Sequence, residues 1–157
     1  MIKSVINRID VHDGVAMISI EGFAGRCLRA TEVFSEIAQS GADIGMIIMI
    51  PSANDRMNLS FTVPENCLGK TVAALGSSMS PMHRFLYHIS SGNTKIILSG
   101  VALCEDPHIT SQVLKVLSKA GIEVKLISAT VNEIALLVEE SDADAAIGEL
   151  KRLKTNN

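Results

Sequence analysis

Ile18-Ser19-Ile20-Glu21-Gly22-Phe23 returns 78 residues later as Ile96-Ile97-Leu98-Ser99-Gly100-Val101, each a short apolar run closed by glycine and one more apolar residue. A repeat decides the architecture before any single motif does, because each copy is a supersecondary unit in its own right. A helical pattern follows both copies. Val33, Phe34, Ile37 and Gly41 match Val113, Leu114, Leu117 and Gly121 at an offset of 80, so the second copy has gained two residues in the intervening loop. Two β-rich runs come next, Asp43 to Ile50 and Met57 to Val63 in the first half, Ile122 to Ser128 and Asn132 to Val138 in the second. A second helix closes each half, Val72 and Leu75 matching Ile147 and Leu150 at an offset of 75.

Local chemistry supports these boundaries. Asp106 before Pro107 sets a capping carboxylate beside a proline at the first helical position, where the missing N–H costs nothing. Gly41 and Gly121 fall just past the last apolar position, where a left-handed terminating residue is cheapest. The stripes Val33, Phe34, Ile37, Ala38 and Val113, Leu114, Leu117, Ala120 keep helical spacing, which predicts helices covering one face of a sheet. The first half continues into a strand over Arg84 to Ile89 and so reads β-α-β-β-α-β, the ferredoxin-like order. The second half ends its helix, Asp142 to Leu153, in Lys154-Thr155-Asn156-Asn157 with no closing strand, while the apolar segment Val5 to Ile9 has no role in the first half. The expectation is therefore an α+β protein of two interlocked modules. Each has an antiparallel sheet with helices on one face, one module spanning residues 15–90 and the other residues 1–10 plus 95–154. The N-terminal strand completes the second module, and the polar stretch Ser90-Ser91-Gly92-Asn93 is the expected joint.

Composition narrows the function. The 157 residues suit one domain of ~150 residues or two small ones. With 47% hydrophobic and 20% charged residues, intrinsic disorder is excluded. Aromatics are only 3%, without Trp, which argues against stacking platforms for single-stranded nucleic acid. The 14 Lys and Arg against 17 Asp and Glu leave no basic surplus for phosphates, so no nucleic-acid partner is expected. Apolar runs such as Met46 to Ile50 fall far short of the ~18 residues of a membrane helix, and no signal-peptide core opens the chain. The expectation is a cytoplasmic protein with no membrane partner. Cys27, Cys67 and Cys104 are odd in number and widely spaced, as reduced thiols are, and Cys27 with Cys104 falls in corresponding loops.

With two βαββαβ units and an N-terminal strand donated to the second, the chain resembles the tandem ACT-domain regulatory region of aspartokinases over nearly its whole length. Leu59-Ser60-Phe61-Thr62-Val63-Pro64 is similar to the family's "isFTvp" strand and Gly41 to Met46 to its "aginvdm" segment. Lys95 to Gly100 resembles "kvsvvG", Ile127-Ser128-Ala129-Thr130 resembles "iSTS", and the acidic, alanine-rich C-terminal helix also fits. The resemblance implies a non-catalytic regulatory protein, a homodimer that senses a small effector, usually lysine or threonine in the family, between its two ACT modules. It also implies a kinase catalytic chain as a partner in trans, with no cofactor and no metal. A loop that opens a helix offers a ligand carboxylate free N–H groups and the positive end of the helix dipole.

Carried over residue by residue, the resemblance assigns ligand binding to Gly25, Arg26 and Leu28 in the first module's loop and to Met49 and Ile50 on its second strand. In the second module it assigns Asp106 and His108 in the loop, and Ile122, Glu123 and Val124 at the start of the second strand. The chain departs from the family at these places. The family's Asp-x-Pro-Gly loop aligns with Gly25-Arg26-Cys27-Leu28, its Gln-Asn pair with Met49-Ile50, and its Asn in the second module with Glu123. The second loop, Glu105-Asp106-Pro107-His108, keeps the proline and replaces the glycine. A pocket lined by Met49 and Ile50 would prefer an apolar amino acid. The other reading is an interaction or dimerisation module that kept the fold, lost the ligand and acts on a partner enzyme. A weaker third is acid-base catalysis at His108.

Other motifs read blandly. Gly69-Lys70-Thr71 looks like the tail of a phosphate-binding loop, but the glycine required five residues earlier is Pro64, so a helix is expected there. His12, His83, His88 and His108 have no acidic or cysteine partners at metal spacing. Arg26 and Arg29 lie where a cation is mildly unfavourable against the helix dipole, and a salt bridge to Glu105 or Asp106 outweighs a ligand role. The seven methionines are core filler. No nucleophile elbow, carboxylate pair or dinucleotide loop is present, so no enzyme active site is expected.

Overall fold

The computed structural model describes residues 6–24, 27–77, 86–101, 103–106 and 108–155, with residues 23, 24, 27–29, 104 and 155 described in their backbone only. In chain order the elements are β1 (Arg8–Ala24), α1 (Cys27–Gln39), β2 (Ile47–Ser52), β3 (Arg56–Pro64), α2 (Leu68–Ser77), β4 (Leu86–Ser99), α3 (Ile109–Lys119), β5 (Leu126–Ala129), β6 (Glu133–Glu139) and α4 (Ala143–Thr155). The chain divides into two compact units, Gly14–Ser91 and Met1–Asp13 with Gly92–Asn157. Both are ferredoxin-like, and the long strands β1 and β4 each contribute one part to each unit.

In the Gly14–Ser91 unit the strand order is β2-β3-β1-β4. β1 runs antiparallel to β3 with Ile18 opposite Phe61 and Ile20 opposite Leu59, and β2 runs antiparallel to β3 with Ile47 opposite Phe61. Because strand side chains alternate between faces, this register puts Ala16, Ile18 and Ile20 on one face with Leu59, Phe61 and Val63, all buried. Val33 and Ile37 of α1 and Ala74 and Leu75 of α2 cover that face. Phe34 meets Phe61 edge to face, with ring centroids 5.5 Å apart at 73°. Ala38, assigned to the stripe from its spacing, is exposed, so the buried face of α1 is narrower than the sequence suggested. The Gly-Lys-Thr motif sits in α2: the buried Thr71 hydroxyl donates to the Cys67 carbonyl at 2.8 Å and the Lys70 ammonium to the Gly41 carbonyl at 2.5 Å.

In the other unit the order is β1-β4-β6-β5. Here the closing strand is the N-terminal part of β1, so a strand from the start of the chain completes the second module. β4 and β6 are antiparallel with Ile96 opposite Leu136 and Leu98 opposite Ile134. The N-terminal segment is fastened to this unit by several contacts. Ile6 is only 2% exposed within the core, the Asn7 N–H donates to the Ser99 carbonyl at 2.7 Å, and the Asn7 carbonyl accepts from the Lys154 ammonium at 2.7 Å. Thr94 donates from its buried hydroxyl to Asp13 at 2.8 Å. Lys125 donates to Asn93 at 2.7 Å and pairs with Glu139 at 2.5 Å, so the buried Asn93 amide is satisfied.

Several boundaries differ from the sequence reading. The units divide between Ser91 and Gly92, inside the expected joint, but Ser90-Ser91-Gly92-Asn93 is the interior of β4 rather than a loop, and residues 10–14 likewise continue β1. Polar residues that would suit a turn are held in the strand because their backbones stay paired, Asn93 opposite Glu139 and Thr94 opposite Val138. Arg84, at the start of the expected strand, lies outside the described residues, as does Pro107. Asp106 does not cap α3; His108 occupies that position, and the Asp106 carboxylate instead accepts the His108 N–H at 2.9 Å. α3 buries Ile109, Val113 and Leu117, one full i, i+4, i+8 row, while Leu114 and Ala120 are exposed. β2 and β5 begin later than expected, at Ile47 and Leu126.

Both α1 and α3 are followed by the expected left-handed glycine, Gly41 at φ 72° and Gly121 at φ 74°. Nothing lies within 4 Å of where a Cβ on Gly121 would stand, so only backbone strain opposes a side chain there. Gly121→Ala should cost about 1–2 kcal/mol, read as a fall in the urea midpoint at unchanged slope; an unchanged midpoint would contradict the left-handed cap.

Candidate functional site

The residues assigned from the resemblance are placed as follows. Gly25 and Arg26 lie outside the described residues, and Leu28 is described only in its backbone, in the first turn of α1. The side chains of Cys27, Cys104 and Arg29 are likewise outside the description. Met49 and Ile50 are both exposed on β2, Met49 opposite Leu59 and Ile50 opposite Asn58. Leu59 is buried in the core and neighbours on a strand point to opposite faces, so Met49 and Ile50 do not share a pocket wall. This corrects the expectation of one apolar pocket lined by both.

In the second module, Asp106 and His108 stand at the start of α3, whereas Ile122, Glu123 and Val124 follow its far end. Eleven helical residues rise about 16 Å. The two sets are therefore kept apart within their own unit. Ile122 is 6% exposed in the core and Val124 packs against it, leaving Glu123 as the exposed member of the three. His108 is exposed, its carbonyl accepting from the Gln112 N–H at 2.9 Å and the Ser111 hydroxyl at 2.8 Å, which is helix-start chemistry and leaves the imidazole free of a catalytic partner among the described residues.

A different cluster assembles in the Gly14–Ser91 unit, on the sheet face turned away from the helices. β1 carries a bulge there. Ile20 pairs with Leu59 and Phe23 with Met57, so Glu21 and Gly22 together face Asn58. Gly22 has φ 60°, and its N–H donates to the Asn58 side-chain oxygen at 3.0 Å. A Cβ on Gly22 would stand 3.3 Å from Nη1 and 3.7 Å from Cδ of Arg56, so the Arg56 side chain lies across the bulge. The β2–β3 hairpin turns through Asn54 and Asp55 at φ 60° and 55°, the doubly left-handed turn that suits strand twist and that Asn and Asp tolerate. That turn brings Ser52 opposite Arg56. Tyr87 of β4 packs on the core, which turns Leu86 to the same open face, where it is 79% exposed.

Together Glu21, Gly22, Ser52, Asn54, Arg56 and Asn58, with Ala53 and Leu86 as apolar walls, line a solvent-open groove of about 770 Å³. Farther along the same face the Ser19 and Ser60 hydroxyls are 2.9 Å apart. Sequence reading missed this site because its residues come from four strands and the hairpin turn, brought together only by the sheet register. The one signal available was Asn54-Asp55 between two apolar runs, which marks a turn there without setting the register across it.

Residues 96–152 match the family model described as ACT domain. The aspartokinase of Bacillus sp. strain MGA3 is 23% identical over 146 residues, which cover 93% of this chain and 36% of that relative. The chain thus spans about a third of the length of the curated relatives it matches. Among solved structures, the ligand-free regulatory subunit of aspartate kinase from Thermus thermophilus superposes with a TM-score of 0.86 at 19% identity, over 95% of this chain and 98% of that one. Escherichia coli aspartokinase III in complex with lysine and aspartate superposes with a TM-score of 0.63 at 14% identity, over 97% of this chain and 33% of that one. Residues 96–152 thus match the ACT domain, and the chain as a whole has the fold of the aspartate kinase regulatory subunits to which it is similar.

Proposed function

We propose that this protein is the effector-sensing region of an aspartokinase-type system, binding an amino acid and passing that signal to a kinase catalytic chain through a homodimer. The observation that carries the reading is the ACT match over residues 96–152 in a chain whose fold follows the T. thermophilus regulatory subunit over nearly all of both molecules. The 157 residues are similar to the regulatory subunit of aspartate kinase over nearly all of both chains, which supports a regulatory role. The E. coli relative, solved with lysine and aspartate, supports an amino acid as the ligand class. Among the described residues no helix is long and apolar enough to cross a membrane.

Regulation requires that the ligand bind two arrangements of the protein with different affinity. Calorimetric titration of the full chain with each of the twenty amino acids should give saturable heat for one of them or a few close homologues. The same ligand should raise the melting temperature, since a ligand at 100 times its Kd adds about 2.7 kcal/mol. Absence of heat and of thermal shift for all twenty would remove the sensor reading and leave an assembly module.

A further inference from the structure

We propose that the open-face groove of the Gly14–Ser91 unit is a binding site for a free α-amino acid with an apolar side chain. In it, Arg56 and Asn58 hold the carboxylate and Glu21 the ammonium. This rests on the amino-acid-sensing reading and gives it a place that the resemblance did not assign.

The groove holds unspent charge. Ion pairs among the described residues join Arg8 to Asp10, Lys125 to Glu139 and Arg152 to Glu149; Glu21 and Arg56, of opposite sign and lining one groove, belong to none of them. A bare anion in the groove would face Glu21 and a bare cation would face Arg56, so each is opposed by one wall. A zwitterion meets both. The polar inventory also fits. Arg56 brings five N–H donors, Ser52 a hydroxyl and Asn54 an amide, against one carboxylate, matching a ligand whose carboxylate needs several donors and whose ammonium needs a strong acceptor. The Asn58 side-chain oxygen is already engaged by the Gly22 N–H, which orients its amide so that the NH₂ remains to donate.

Gly22 is part of the site in two ways. Its left-handed backbone makes the bulge that sets Glu21 beside Asn58, and its missing side chain leaves room for the Arg56 guanidinium. Leu86, 79% exposed beside Ala53, supplies the apolar wall that an aliphatic side chain would cover. At about 770 Å³ the groove falls in the size range of small-molecule sites.

The test is an amide-resolved NMR titration of the full chain with L-leucine as probe, beside leucinamide, which lacks the carboxylate, and 4-methylpentanoate, which lacks the ammonium. The expected result is movement of the Gly22 backbone amide and the Asn58 side-chain amide with L-leucine, and at least tenfold weaker binding of both analogues. Arg56→Ala and Glu21→Gln, both at exposed positions, should each weaken L-leucine at least about tenfold while leaving the rest of the spectrum in place. L-Leucine shifts confined to residues outside the groove, or equal binding of 4-methylpentanoate, would overturn this site and leave amino-acid sensing standing. No response to L-leucine or to any other of the twenty amino acids would overturn both.

Discussion

Deletion of residues 1–10 should unfold the module that contains Gly92–Asn157, exposing α3 and β6 amides to rapid hydrogen exchange. That segment carries Ile6, 2% exposed among Ile96, Leu98, Leu103 and Ile109, and Ile9, which packs against the same core. Removing one buried isoleucine costs about 2–5 kcal/mol, and the deletion also removes the Asn7–Ser99 backbone bond and the Lys154–Asn7 contact. It strips β4 of part of its neighbouring strand, leaving unpaired N–H and C=O groups in the middle of what was a sheet. The combined loss is comparable with the ~5–15 kcal/mol that holds an ordinary domain together. A truncated protein with unchanged exchange in β6 would show that the N-terminal strand does not complete this module.

Phe61→Ala should lower stability by about 3–5 kcal/mol, the largest single-residue effect expected in the Gly14–Ser91 unit. Phe61 is fully buried at the centre of β3, between Ile18 of β1 and Ile47 of β2 in the register, and its ring meets Phe34 of α1 edge to face. With 3% aromatic residues the chain has few side chains of that volume, and in a close-packed core a lost ring leaves a cavity. Phe61→Leu, which keeps most of the volume, should cost under about 1.5 kcal/mol. Both are read from urea unfolding, and a loss under 1 kcal/mol for the alanine variant would contradict a packed Phe34–Phe61 contact.

The repeat was legible because it is local: a strand ending in Gly, a helix ending in Gly41 or Gly121, and two strands before a second helix are all sequential patterns. Completion of the second module by the N-terminal strand was legible as well, since one module lacked a strand and one strand lacked a module. The joint was legible as a place, and its conformation was not. Ser90 to Asn93 has the composition of a turn, yet the sheet partners beside it keep it extended, and hydrogen bonding across strands leaves no trace in composition. Helix phase failed in the same way at Ala38, Leu114 and Ala120: periodicity marks a stripe, but its edges depend on how far the covering sheet extends.

The amino-acid order by itself determined the class of protein, two βαββαβ units of aliphatic core, because glycine caps, apolar alternation and repeat spacing act over a few residues at a time. Tertiary structure alone decided where unspent chemistry collects. Glu21, Ser52, Arg56 and Asn58 are as many as 37 positions apart, and they meet only because a bulge at Gly22 shifts the β1–β3 register and a left-handed Asn54-Asp55 turn folds β2 onto β3. Register is a relation between strands, set by which faces bury their apolar side chains together, and it therefore exists only once the sheet has formed.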